Sequence, residues 1–509
     1  MNRTTSPLMA PASDLLSHTL AQPDFHPRLP QQRRLYEAVK AAINQQQLAA
    51  GSKLPSSREL AHDLGIARNT VISAFEQLAA EGYVTSLQGS GTYVADLRAQ
   101  RASMHGGSLQ DAAPRPETRP ALPLLSRRGT EITAFAAGAQ YEILPFAPGD
   151  PDFSSFPFKL WQRLQNRVWR EARTDLLDNG QAGGYLPLRQ AIAEYLRLSR
   201  SVKVSVEQVL ITSGTQQSLD LCAQLLADAG DTVWMEDPGY WGARRVFQAR
   251  DLKLRPIAVD ADGMALTPAD LDTDPRLIYV TPSHQYPTGV VMSLTRRREL
   301  LEIAVRKNAW ILEDDYDSEF RYTGRPLASL QGLDMDERVV YMGTFSKVLF
   351  PGIKVGYLVV PGALVGGFKS ALFDLQRPGQ LMVQATLADF IAFGHFTSHI
   401  RKIRQVYGAR RELLRRTLVA QMATRLQGKI AISSEESGLH LVVETPEHVD
   451  DVALAALAAE SGLHVRALST YYLAPPARHG LLVGYAYVTQ DKIPYYGRLL
   501  ASVIQSAVR

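Results

Sequence analysis

At 509 residues, with 45% apolar and 21% charged side chains, the chain has the composition of an ordinary folded protein of roughly three domains' length, which excludes a small stapled fold or a disordered chain. Its single cysteine, Cys222, excludes an internal disulfide and an all-cysteine metal site and points to a reducing cytoplasm. Lys plus Arg outnumber Asp plus Glu by only 55 to 51, so any DNA-binding surface must be local, and no apolar leader or run of ~18 apolar residues predicts targeting to a membrane.

Ser56 and Glu59 in LPSSREL have the S-x-x-E spacing of a capping box and Gly65 suits a helix end, so a short helix over 57–64 is predicted. After a turn at Gly65–Ile66, the run ARNTVISAFEQLAAEGYV sets Val71, Ala74, Phe75 and Leu78 on one helical face and Asn69 and Ser73 on another. Its first turn offers Arg68, Asn69 and Thr70 outward. Two β-prone stretches, 83–87 and 92–94, flank QGSG (Gln88–Gly91), whose glycines permit a tight hairpin. Helix, turn, helix and hairpin make a winged helix-turn-helix, whose second helix fits the major groove of DNA. Charge does not separate this from a small interaction module with a solvated polar face, since residues 1–100 hold nine Lys and Arg against eight Asp and Glu.

From 96 to 130 the composition shifts to scattered Pro, Arg, Gly and Ser with no sustained period, which reads as a linker between a head at 25–95 and a tail at 135–509. The tail alternates β-rich runs (209–212, 232–236, 277–280, 310–313, 339–342, 355–360) with helical stretches such as 218–229 and 296–308. That alternation predicts an α/β fold, a mostly parallel sheet with helices on both faces. The pattern turns helical over 368–427, and a short β/α unit from Ile430 onward predicts a smaller C-terminal lobe.

Several tail segments carry chemistry. The strand at 209–212 runs into Ser213, Gly214, Thr215 and Gln216, where free N–H groups and the positive end of a helix dipole suit a phosphate, although any strand-to-helix turn favours such residues. In WILEDDYDSEF a hydrophobic strand ends in Glu313, Asp314, Asp315 and Asp317. A carboxylate there can keep a pyridinium nitrogen protonated. A metal site is the competing reading, but the glycine and terminal glutamate of a calcium loop are missing. GTFSKVLFPG places Lys347 among Phe345, Val348, Leu349 and Phe350, where desolvation makes an amine nucleophilic toward an aldehyde. No glycine directly precedes it, as one would in a Walker loop. EDPGYWGARR supplies Tyr240, which either stacks on a planar ring or packs a core.

The run GSKLPSSRELAHDLGIARNTVISAFEQLAAEGYVTSLQGSGTYV resembles the GntR-type winged-helix domain. From Tyr141 onward, GGYLPLR, SGTQQSLDL, EDPGYWG, PSHQYPTG, EDDYDSEF and GTFSKVLFPGIKVGYLVVP resemble the fold-type I aminotransferases. Head and tail together resemble the MocR subfamily of GntR regulators over almost the whole chain. The resemblance implies DNA contacts from Arg58, Arg68, Asn69 and Thr70, with a wing around Gly89 and Gly91 against the minor groove or backbone. Ala67 stands where the family often has a serine cap, which loosens the start of the recognition helix.

In the tail the resemblance implies pyridoxal phosphate held by Lys347 as a Schiff base, with Asp314 on the pyridine nitrogen, Tyr316 on the ring hydroxyl and Tyr240 stacked on the ring. Gly214, Thr215, Gln216, Thr344 and Ser346 would surround the phosphate, Tyr185 would reach in from the other subunit of a homodimer, and Arg478 is a candidate for a ligand's carboxylate. Two positions depart from the enzymes' pattern. Tyr286 replaces the Asn of NPTG, and Lys354 replaces an arginine on the phosphate, keeping the charge and losing the bidentate fork. Gly242 also stands where some amino-acid-sensing relatives place an arginine. The expectation is a cytoplasmic, homodimeric regulator that binds a double-stranded DNA operator and senses an amino compound or pyridoxal phosphate itself. The alternative is a pyridoxal-phosphate-dependent aminotransferase with an accessory DNA-binding head.

Overall fold

The computed structural model describes residues 12–22, 25–27, 29–87, 90–96, 125–133, 144–171, 174–178, 180–324, 328–377, 379–422, 428–433 and 437–508. The chain divides into two compact units, Met1–Leu122 and Pro123–Arg509.

In the first unit the predicted capping box forms: Ser56 Oγ accepts from the Glu59 amide at 3.3 Å and the Glu59 carboxylate accepts from the Ser56 amide at 2.8 Å. This opens the helix Ser57–Leu64, and Gly65 closes it at a left-handed φ of 62°. The helix Arg68–Ala80 buries Val71, Ala74, Phe75 and Leu78, and Ala67 offers its start no side-chain cap. Strands β1 (Val84–Leu87) and β2 (Gly91–Val94) pair antiparallel with Leu87 opposite Gly91, so Gly91 belongs to the strand rather than the turn. Two further helices, Ala12–Ala21 and Gln31–Asn44, complete the unit. Leu16 of the first is buried in the same core as Leu35, Leu60 and Val71, so this core reaches beyond the boundary expected at residue 25.

The second unit is built on β3 (Val209–Thr212), β4 (Thr232–Asp237), β5 (Lys253–Asp260), β6 (Gly263–Met264), β7 (Leu277–Val280), β8 (Trp310–Asp315), β9 (Val339–Thr344) and β10 (Gly356–Val359). They form one sheet in the order β3-β10-β9-β8-β7-β4-β5-β6. The block from β9 to β5 is parallel, while β10 runs antiparallel to both its neighbours and β6 antiparallel to β5. Strands β3, β7, β9 and β10 are buried along their whole length, as their continuous apolar runs require when both faces are covered. Along β7 to β9, Tyr279, Leu312 and Val340 pack toward one core, whereas Ile278, Ile311 and Val339 pack toward another that includes Leu300 and Ile303 of the helix Leu294–Arg306. The edge strands β5 and β6 escaped the sequence reading because β5 carries Lys253, Arg255 and Pro256 and is largely exposed.

A smaller antiparallel sheet follows, with β11 (Ala431–Ile432), β12 (His440–Thr445), β13 (Arg466–Ala467) and β14 (His479–Gly484) in the order β11-β12-β14-β13. Its Leu441 and Leu481 share one continuous core with Val209, Tyr341 and Tyr407, which is why this lobe does not separate as the third unit that chain length suggests. The helix Arg127–Thr133 begins within the expected linker and runs past its end at residue 130, and its Arg128 ion-pairs with Asp251, so the last linker residues belong to the second unit. No helix among the described residues is long and apolar enough to cross a membrane.

Candidate functional site

A cavity of about 490 Å³ opens where the carboxyl ends of the parallel strands meet the smaller sheet. This is the crevice at which open α/β sheets bind ligands. Because β10 runs backwards, its first residue, Gly356, stands opposite Thr212 and Thr344 and brings the preceding Lys354 to the same edge. A Cβ on Gly356 would lie 2.7 Å from Gly214 Cα, so the close approach of these two backbones requires glycine.

Lys347 follows β9 and projects into the cavity, where its Nζ donates to the Gly149 carbonyl at 2.9 Å. Burial lowers its pKa, Asp150 and Asp317 oppose the shift, and Arg466 reinforces it. The amine is thereby drawn toward its neutral, nucleophilic form.

Asp314, at the end of β8, has a carboxylate with one oxygen bonded and one left over. Its Oδ2 accepts the Tyr279 hydroxyl at 2.8 Å, while its Oδ1 is buried without a hydrogen-bond partner among the described residues. Burial pushes its carboxyl up to about 7. The neighbouring acids turn elsewhere: Glu313 accepts from the amides of Leu330 and Gln331, Asp315 pairs with Arg200 at 2.7 Å, and Asp317 pairs with His284 at 3.0 Å. Their side chains turn to separate partners rather than toward a common point.

At the other end of the cavity, Gly214, with φ 128°, leads into the helix Thr215–Leu226, whose first residues Thr215 and Gln216 line the wall. Thr344 Oγ1 donates to Ser346 Oγ at 3.1 Å and accepts from the Ser346 amide at 3.2 Å. With Lys354 beside them, a helix start, two hydroxyls and a cation make an anion cradle. Between the two ends stand aromatic rings. Tyr286 meets Tyr240 edge-on at 5.8 Å and Tyr316 edge-on at 5.7 Å, and the Tyr240 hydroxyl accepts from Gln216 Nε2 at 3.1 Å. A Cβ on Gly242 would collide with the Tyr240 ring and Gln216, so no longer side chain fits there with Tyr240 in this position.

Two expected residues lie elsewhere. Tyr185 does not line the cavity of its own chain; it precedes the helix Leu186–Arg200, and its amide donates to Gln384 Oε1 at 2.9 Å. Arg478 is a correction: it does not line the cavity, because its guanidinium is paired with Glu444 on the neighbouring strand, Nε to Oε2 at 3.2 Å. Arg466 of β13 lines the cavity instead. The sequence reading passed over it, along with His440, Tyr279 and Gly149; the one available signal for Arg466 was a lone arginine in the apolar run LHVRAL.

In the first unit Arg58, Arg68 and Asn69 are exposed and Thr70 is half-buried at the start of the second helix. Arg68 Nε donates to Ser57 Oγ at 3.3 Å, tying that start to the preceding helix. Gly91 has φ 123° with the Lys53 side chain across it, and Gly89 lies outside the described residues.

The aminotransferase class I and II family matches residues 142–495, and the bacterial regulatory proteins of the gntR family match residues 31–94. The chain is 40% identical over 459 residues to the probable rhizopine catabolism regulatory protein MocR of Rhizobium meliloti, covering 90% of each chain. It is 32% identical over 462 residues to the pyridoxine biosynthesis transcriptional regulator PdxR of Corynebacterium glutamicum, covering 90% of this chain and 93% of that one. Among solved structures it resembles Pyrococcus horikoshii kynurenine aminotransferase with a TM-score of 0.66 and 25% identity, covering 73% of this chain and 92% of that one. With a GntR helix-turn-helix domain joined to a class I and II aminotransferase domain, the chain belongs to the MocR-type transcription regulators.

Proposed function

We propose that the aminotransferase-like unit binds pyridoxal phosphate in this cavity, and that occupancy by the cofactor, or by an amino compound meeting it there, alters how the GntR heads of a homodimer hold a double-stranded operator. The observation that carries this reading is the buried, unpartnered Oδ1 of Asp314. Leaving such an oxygen unsatisfied costs about 1–3 kcal/mol. A protonated pyridine nitrogen would satisfy it and return the carboxyl to its ionised form.

Bound there, the group supplies an aldehyde and an electron-withdrawing ring. Lys347 would hold the group through its amine, and its lowered pKa keeps a neutral fraction of that amine available. Tyr316 would meet the ring hydroxyl, and Tyr240 and Tyr286 would wall the ring. Gly214, Thr215, Gln216, Thr344, Ser346 and Lys354 would hold the phosphate. Arg466, which lines the cavity, would meet the carboxylate of an amino compound, and Tyr185 would serve the cavity of the other subunit. One relative is named for regulating pyridoxine biosynthesis, which agrees with a signal carried by the cofactor. The substitutions at 286 and 354 favour sensing over turnover, since a lone lysine ammonium holds phosphate less firmly than a guanidinium fork.

An effector changes DNA affinity only if it binds one arrangement of the heads better than another. The direct test is binding to the region upstream of this protein's own gene, with and without pyridoxal phosphate and candidate amines. A change in operator affinity is expected; turnover with a 2-oxo acid and indifferent DNA binding would instead make the chain an enzyme with an accessory head.

A further inference from the structure

The roles assigned above leave a buried imidazole without work. His284 lies in the loop after β7, is 3% exposed, and sits one layer behind the cavity wall. Its Nδ1 stands 2.9 Å from the Tyr316 hydroxyl and 3.0 Å from Asp317 Oδ2, and the Tyr316 hydroxyl also donates to the His284 carbonyl at 3.1 Å. A carboxylate can only accept, so the shared nitrogen carries the proton and donates. Nδ1–H therefore serves Asp317 with the phenolic oxygen as second acceptor, and the phenol's own proton rests on the His284 carbonyl, from which it can turn to an acceptor that enters the cavity. The ring has little freedom to leave this arrangement: a Cβ on Gly438, at φ 77°, would overlap it, and the His440 ring stands 5.4 Å from it.

We propose that His284, anchored by Asp317, is a positioning residue that holds Tyr316 as a hydrogen-bond donor into the cavity and so sets the pH at which the bound cofactor changes its protonation. The proposal rests on the reading of this cavity as a pyridoxal phosphate site. A phenol donating to the ring's oxygen favours the anionic form of that oxygen, and an N–H donated to the phenolic oxygen strengthens the phenol as a donor. Without the imidazole the donor weakens, and the cofactor holds its proton to higher pH.

The other charged and titratable groups around His284 do not substitute for it. Arg200 and Arg321 border the small recess behind the ring, and Arg200 is committed to Asp315 at 2.7 Å. His440 donates from Nε2 to the Pro287 carbonyl at 2.9 Å, and burial pushes its pKa down to about 3, so it stays uncharged.

The experiment is a pH titration of the visible absorption band of the cofactor-loaded full chain. His284→Leu removes the donor at similar volume and should raise the midpoint by about one pH unit. His284→Asn, whose amide nitrogen can take the place of Nδ1, should return it toward the wild-type value. In a Tyr316→Phe background the His284→Leu change should add nothing, because the imidazole acts through the phenol. An unchanged midpoint in His284→Leu, or a full shift that persists in the Tyr316→Phe background, overturns the proposal. Where the leucine variant does not fold, His284→Gln carries the same expectation, since its amide lies at the position of the other ring nitrogen. A wild-type protein that develops no band with pyridoxal phosphate, or whose band survives Lys347→Ala, fails the site reading itself and is told apart by that control.

Discussion

Lys347 Nζ donates to the carbonyl oxygen of Gly149, 198 positions earlier in the chain, at 2.9 Å. The contact exists because Gly149 has no side chain: a Cβ there would stand 2.9 Å from the same Nζ, and the backbone adopts φ 85°. The amine is thus oriented by a backbone group before any ligand arrives. Gly149→Ala should cost about 1–2 kcal/mol of stability from the left-handed conformation. It should also displace the lysine, so denaturant unfolding and the yield of the visible cofactor band should both fall. A variant with full band and unchanged stability would show that the lysine does not need this support.

Asp314 gives a pH signature to the ligand-free protein. Its folded pKa is raised from 3.8 to about 7 by burial, so the folded state holds this proton more tightly than the unfolded chain. The stabilisation is complete below the unfolded value and is lost as pH rises from 3.8 to about 7, beyond which an unpaired buried carboxylate remains. Asp314→Asn cannot ionise, so the melting temperature of the ligand-free variant should gain on the wild type across that window. Adding pyridoxal phosphate should reverse the order above it, since only the aspartate can pair with a protonated ring nitrogen. Operator binding by the heads should survive the substitution. Parallel melting curves at every pH would argue against the buried, unpaired carboxyl.

Much of this site was legible because its residues are local to short segments with their own physical logic. Ser56 and Glu59 cap a helix three residues apart, Gly214 to Gln216 open another, and Asp314, Thr344 and Lys347 sit at or just after strand ends where side chains turn toward ligands. What escaped came from afar. Gly149 enters from a segment without periodicity, His440 and Arg466 from strands of the smaller lobe, and nothing in their neighbours marks them. Arg478 stands as a candidate by resemblance alone, but Glu444 lies directly across the strand pairing from Gly480, close enough to claim the guanidinium. Cross-strand register, not local pattern, decided between the two arginines, and register is fixed by tertiary packing.

The exposed first turn of the helix Arg68–Ala80 offers a test of the head that should leave the tail untouched. Arg68 is tied to Ser57 only by a bond between exposed groups, so its guanidinium can turn to DNA at little cost. Arg68→Ala should weaken operator binding by ~1–3 kcal/mol if the side chain reads a base edge, with the cofactor band unchanged. Equal losses on operator and random sequence would make it a phosphate contact instead. Competition titrations at fixed salt distinguish the two, because the phosphate term alone is shared by every sequence.

Lys354 offers a test of the proposed phosphate site, because a change of its head group should alter affinity for the cofactor. It lines the cavity and holds φ 49°, a left-handed conformation that arginine would adopt at the same cost as lysine. Lys354→Arg therefore changes the head group without new backbone strain, exchanging a point charge for a fork able to make two parallel charge-assisted bonds to phosphate. Cofactor binding should tighten by about tenfold, as one added charge-assisted bond of ~1.5 kcal/mol predicts. If pyridoxal phosphate is itself the signal, the concentration at which operator binding changes should fall by the same factor, because linkage makes the DNA response follow occupancy. Titrating apoprotein and variant with the cofactor while following both the visible band and operator binding measures the two shifts together. A response to an amine that ignores the cofactor concentration would assign the signal to the amino compound and leave the cofactor as a fixed part of the receptor.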